Sequence, residues 1–252
     1  MSRISFTAGK FSVPDYFNVN AYSGEPRTGF SMGEHAELMA REWGIPREEQ
    51  DQLAVASHAN LARAYKDGFF ADLITPFKGV SKDNNLREGL TIEKLRSLKP
   101  CFDKKIAPGQ GTLTPGNSTP LTDGASAVLL GSEEWARANN LPVLAYITFS
   151  EVAAVDFFNK KEGLLMAPAY AVSRMLQRAG LTLQDFDYYE IHEAFAAQAI
   201  AVARGLGLDM AKTNPKLLRL GPTAMSKARR LVDCGFDRTM AALVWAEETD
   251  AG

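Results

Sequence analysis

The sequence predicts an α/β layered fold with a helical cap at its N-terminus. From Ala125 onward, short runs of branched and aromatic residues alternate with helix-length segments, the pattern of a layered sheet. Between Ser31 and Gly68, two helix signatures follow one another with no strand between them. The stretch from Pro108 to Pro120 divides the two regions and holds too many prolines and glycines for a regular element.

The first helix is expected from Ser31, where Ser-Met-Gly-Glu has capping-box spacing, to a stop at Gly44. A second follows at once. Pro46 suits its first helical position, Glu48, Glu49 and Asp51 suit its positive end, and Leu53, Ser57, Leu61 and Tyr65 mark one stripe up to Gly68. The two helices are expected to pack on each other. The composition turns polar from Lys78 to Gly89, and a short helix from Ile92 to Leu98 is stopped by Pro100. Ala125 to Leu130 reads as a buried strand, Glu133 to Asn139 as a helix, and Val143 to Val152 as a strand. Ala169 to Ala179 reads as a helix ended by Gly180, and Asp187 to Ile191 as a strand. Glu193 to Arg204, with small and apolar residues on all faces, reads as a buried helix.

With 252 residues, 46% of them hydrophobic, the chain can bury a substantial core. A formal net charge of -2, with both signs mixed along the chain, offers no field for nucleic acid or an anionic membrane. No apolar run approaches the roughly 20 residues that span a bilayer, and Met1 to Lys10 lacks an apolar signal core, so a cytoplasmic protein is expected. Two cysteines, Cys101 and Cys234, and three histidines suggest neither a disulfide framework nor a zinc site.

Chemistry is expected where the strand ends and the buried helix begins, at His192, because open α/β sheets place ligands there. A helix N-terminus disfavours imidazolium and favours a neutral ring that donates a hydrogen bond to a developing oxyanion. Glu193 would complement the dipole. Position alone leaves two readings of His192: a satisfied structural histidine, the more frequent case, and an oxyanion donor.

The segment Gly180 to Gln198, containing Tyr189-Glu190-Ile191-His192-Glu193-Ala194-Phe195-Ala196, resembles the thiolase segment whose Asn-Glu-Ala-Phe or His-Glu-Ala-Phe motif helps form an oxyanion hole. The histidine form is more similar to the thiolase subunits of fatty-acid β-oxidation complexes. Ser31-Met-Gly-Glu-His-Ala-Glu37 resembles the family's Met-Gly-x-x-Ala-Glu stretch, Ile45 to Asp51 the following helix start, and Thr114 to Ser126 its Asn-Ser-x-x-x-Asp-Gly-Ala loop. The resemblance runs from about residue 25 to 203 and implies a partial thiolase-like layered fold. Residues 1–107 would form the helical loop or cap domain over the CoA moiety, 108–152 the end of the N-terminal thiolase half, and 153–252 a partial C-terminal half.

The resemblance implies an acyltransferase acting on acyl-CoA or 3-ketoacyl-CoA thioesters, with coenzyme A as substrate and no other cofactor. It implies a homo-oligomer or a hydratase/dehydrogenase partner. His192 would stabilise the oxyanion, Met32 would lie near the acyl and pantetheine channel, Ala194 and Phe195 would line the thioester pocket, and Asn117 and Ser118 would shape the adjoining loop. Core packing is an equal alternative for Met32 and Phe195. The chain departs from the family at Val172, where a small hydroxyl residue is common, and at Ala167-Pro168, where Gly-Pro is usual.

Thiolase chemistry needs a nucleophilic cysteine, a histidine to activate it and a second cysteine to move a proton. The family's nucleophile would precede Met1, and its Gly-His-Pro and Cys-x-Gly motifs do not follow Arg204, where the tail holds Gly221-Pro222 without a histidine. Cys101, beside Asp103, reads as a structural or surface thiol. Cys234 has Arg229, Arg230 and Arg238 near in sequence but no strand context, so it too reads as unreactive. The basic run from Lys227 to Arg230 reads as a solvated helix face rather than a CoA-phosphate site. A non-catalytic acyl-CoA-binding or assembly module and an incomplete gene product stand as alternatives to the enzyme.

Overall fold

The computed structural model describes residues 29–120, 129–157, 159, 163–214, 230–234 and 241–245. Helix α1, Met32–Glu42, opens on the expected capping box: Ser31 Oγ accepts from Glu34 N at 3.2 Å, and Glu34 Oε2 accepts from Ser31 N at 2.7 Å. It closes at Trp43, and Gly44 takes the left-handed φ of 58° that turns the chain away.

Helix α2, Arg47–Lys66, starts one residue later than its proline suggested. Pro46 is the cap, extended at ψ 155°, because its ring fixes φ but leaves ψ free to leave the helix. The stripe of Leu53, Ser57, Leu61 and Tyr65 is only half-buried, and the fully enclosed side chains are Gln50, Asp51 and Ala64. The two helices do not pair chiefly with each other. Both lean on a third, α6, described below, which offers small side chains on every face.

Helix α3, Ile92–Arg96, is capped by Thr91 and ends before Leu98. Helix α4, Glu133–Ala138, is capped by Ser132. The strand expected over Ala125 to Leu130 lies mostly outside the described residues. Leu129 and Leu130, which are described, belong to no strand and are exposed.

Strand β1 is Tyr146–Glu151 and helix α5 is Ala167–Ala179, ended by Gly180 at φ 65°. Strand β2 is Tyr188–Ile191, and helix α6, Ala196–Leu206, is buried from Ala196 through Ala203. Two further strands, β3 at Arg230–Cys234 and β4 at Ala241–Trp245, complete a sheet of order β1-β4-β3-β2. β2 and β3 run parallel, and the other pairs are antiparallel. Cys234 therefore lies in a strand, opposite Ile191, contrary to expectation; long-range pairing with β2 supplies the context its local sequence lacks. Helix α5 lies on the sheet, and α6 packs against α5 and the cap helices. One core, including Met39, Leu113, Leu165, Val172, Met175 and Phe186, runs through both regions.

Candidate active site

The loop around Asn117 and the segment after β2 are clamped together. Ser118 and Phe195 form an antiparallel bridge. Thr119 N donates to Ala194 O at 2.9 Å, Ala196 N donates to Asn117 O at 3.0 Å, and Thr119 Oγ1 donates to Glu193 O at 2.7 Å. These bonds keep residues 193–195 out of the helix, with Phe195 extended at φ -141° and ψ 137°, so the helix expected from Glu193 begins only at Ala196. Main-chain groups committed to a distant loop outweigh the helix preference of Glu-Ala-Phe-Ala.

That displacement changes the electrostatic reading of His192. The dipole acts mainly within the first turn, and neither His192 nor Glu193 lies in it. His192 is exposed at the end of β2. Glu193 Oε1 instead accepts from Asn214 Nδ2 at 2.7 Å. Asn214 also receives Ile191 N on Oδ1 at 2.7 Å, returns a bond to Ile191 O at 2.9 Å, and donates its own N–H to Tyr189 O at 2.8 Å. Held at φ 42°, it clips the end of β2. An asparagine in the left-handed region is the only local sign of this role.

Asn117, nearly buried, shapes the loop: Oδ1 accepts from Thr114 N at 2.8 Å, and Nδ2 donates to Asp51 Oδ1 at 2.9 Å and Thr112 O at 3.2 Å. Asp51 is fixed in turn by Arg47 Nε at 3.3 Å. Glu37 is fully buried and accepts from Thr112 N at 2.8 Å and Leu113 N at 3.0 Å, with Arg41 Nε at 3.3 Å. Two carboxylates on the inward faces of α1 and α2 thus anchor the loop. In the sequence, Glu37 is only part of a motif and Asp51 only part of a helix start.

Met32, Ala194 and Phe195 are buried in the shared core. Phe195 meets Phe102 edge-to-face at 6.0 Å, and Phe102 lies so close to Gly33 that a Cβ there would stand 2.3 Å from the ring. Ser118 is half-buried, and its Oγ has no hydrogen-bond partner. His58 on α2 was not anticipated. Its Nδ1 accepts from Arg87 N at 3.2 Å, and burial first, then the Arg87 charge, lowers its pKa. The Asp83 carboxylate, and more weakly that of Glu193, acts in the opposite sense.

Burial, more than Asp103 or Glu37, pushes the Cys101 thiol up to about 11, and its Sγ donates to Leu113 O at 3.7 Å. It is a protonated structural thiol at neutral pH. Val172 is fully buried on α5, and Ala167-Pro168 forms the first turn of that helix. Among the described residues no cluster of three or more His, Cys, Asp or Glu could hold a metal, and no helix is long and apolar enough to cross a membrane.

The N-terminal domain profile of the thiolases matches residues 19–134, and their C-terminal domain profile matches 141–233. The chain is 43% identical over 202 residues to a 3-ketoacyl-CoA thiolase of Photobacterium profundum, covering 78% of this chain and 45% of that protein. It is 42% identical over 183 residues to a 3-ketoacyl-CoA thiolase of Yersinia pestis, covering 70% and 40%. The chain thus spans less than half the length of these curated relatives. Among solved structures, human mitochondrial 3-ketoacyl-CoA thiolase in complex with CoA superposes with a TM-score of 0.77 at 28% identity, covering 89% of this chain and 61% of that one. An acetyl-CoA acetyltransferase of Bacillus anthracis superposes with a TM-score of 0.76 at 29% identity, covering 96% and 66%.

Proposed function

Because the chain belongs to the thiolase family, we propose that it acts in acyl transfer between coenzyme A and 3-ketoacyl-CoA thioesters in fatty-acid metabolism. The observation that carries this reading is the clamp of residues 117–119 onto 194–196, which holds the motif segment out of the helix and leaves His192 exposed beside it. His192 donates a hydrogen bond to the thioester oxygen as negative charge develops there. Ala194, Phe195 and Met32 form the apolar wall behind the acyl chain, while Asn117 and Ser118 set the loop. Coenzyme A enters as substrate, and no other cofactor takes part. Residues 1–107 serve as the cap, 108–152 close the N-terminal half, and 153–252 belong to the C-terminal half.

A second reading is supported by Cys101, whose thiol, raised to about 11, is too weakly ionised to take an acyl group. On that reading the chain binds acyl-CoA without turning it over. Both place it in the cytoplasm, as a homo-oligomer or beside a hydratase/dehydrogenase partner; native mass spectrometry distinguishes these assemblies.

Incubation with 3-ketoacyl-CoA and free CoA tests the reaction. Thiolysis that falls at least tenfold in His192→Ala supports catalysis, and equal rates in both proteins exclude the His192 role. Calorimetric binding of acyl-CoA without thiolysis selects the binding module. Neither binding nor thiolysis sinks both readings.

A further inference from the structure

We propose that the carboxamide of Gln198 and the hydroxyl of Ser118 hold an internal water molecule behind the His192–Phe195 segment. Gln198 is the third residue of α6 and exposes nothing to solvent. Its Nε2 and Oε1 are both enclosed, and neither has a hydrogen-bond partner. Ser118 Oγ is in the same state. An unmet buried donor or acceptor forfeits what solvent gave it in the unfolded chain, so each of these three atoms calls for a partner.

The fold sets both residues next to Phe195 in the backbone. Ser118 faces Phe195 across the bridge, and the bonds flanking that pair leave it without direct main-chain bonds, the arrangement in which facing side chains approach more closely. Gln198 follows Phe195 at i,i+3 spacing, and long side chains near a helix start point back towards its N-terminus. The two groups do not bond each other. Water is the smallest molecule that can accept from Nε2, donate to Oε1 and engage a hydroxyl at once, and internal waters have about three such partners. Full burial of Gln198 excludes a larger ligand. Phe195 gives α6 no side-chain cap, so a water oxygen near that first turn is also favoured by the helix dipole. The water would cross-link loop and helix and stiffen the segment that carries His192.

Nuclear magnetic resonance on the full chain decides the matter. A long-lived water gives an Overhauser cross-peak to the Gln198 side-chain amide protons, and that peak should be lost in Ser118→Ala. Its absence from the unmodified chain overturns the proposal, and its persistence in Ser118→Ala overturns the shared site. Thermal denaturation gives an independent sign. Gln198→Met and Ser118→Ala should each lower the midpoint, and their combination should lower it by less than the two shifts together, since either change already releases the water. A rise in midpoint for both variants, as expected when unsatisfied groups are removed from a dry interior, also overturns it.

Discussion

Replacing Asn214 tests how the end of β2 is held. Its side chain makes two reciprocal bonds with the Ile191 main chain, at 2.7 and 2.9 Å, each expected to contribute about 1 kcal/mol net. The third, to Glu193 at 2.7 Å, is charge-assisted but partly open to solvent, and about 1 kcal/mol is a fair share for it. Alanine at φ 42° adds left-handed strain of about 1 kcal/mol. Asn214→Ala should therefore lose about 4 kcal/mol, and Asn214→Gly, which tolerates the conformation, about 3 kcal/mol. Urea denaturation followed by circular dichroism, with linear extrapolation to water, measures both. The reasoning is refuted if both variants stay within about 0.5 kcal/mol of the parent, the range of a neutral surface change. Equal losses in the two variants would remove the strain contribution alone.

Gly33→Ala should destabilise by up to about 2 kcal/mol in the same assay, because a new Cβ 2.3 Å from the Phe102 ring costs about 1–3 kcal/mol and the helix preference of alanine returns about 1 kcal/mol of it. In a Cys234→Ser background, Cys101 should resist iodoacetamide. With its pKa near 11, its thiolate fraction at pH 8 is about one in a thousand, so alkylation should quicken about tenfold per pH unit, and fast reaction at neutral pH would contradict the burial argument. His58 should titrate below the ordinary histidine value of about 6.5, and Arg87→Ala should raise its pKa. Since the folded pKa is lowered, the neutral ring's contribution to stability is complete above that ordinary value and is lost as pH falls below it. Resonances of the imidazole followed against pH read both shifts, and an unchanged pKa in Arg87→Ala would refute the role of that charge.

Local chemistry was legible wherever the stabilising partner lay near in sequence. Ser31 and Glu34 cap their own helix, Gly180 ends its own, and the order of β1, α5, β2 and α6 followed from residue type and apolar patterning within each segment. The misreadings share a cause in distance. The late start of α6 depends on Asn117 and Thr119, far upstream, which no inspection of Glu-Ala-Phe-Ala reveals. Helices α1 and α2 looked like partners because they are consecutive, yet each finds a better surface on the small-residue faces of α6. Glu37 and Asp51 are polar positions on helix starts until the fold turns them inward onto the loop. The motif marks the segment proposed as the site, but exposure of His192 and the clip by Asn214 are tertiary facts.

The strand order β1-β4-β3-β2 has a consequence for synthesis on the ribosome. β1 and β2 emerge early but sit at opposite edges of the sheet formed by the described residues, and the strands that join them are made later. Until then the nascent chain can gather its helices around α6 while both early strands wait with open edges, a state in which strand pairing with another chain competes with completion. Slow synthesis of the residues between β2 and the end of β4 would lengthen that interval, so yield of this protein should respond to translation speed over residues 192–245 more than to codon choice elsewhere.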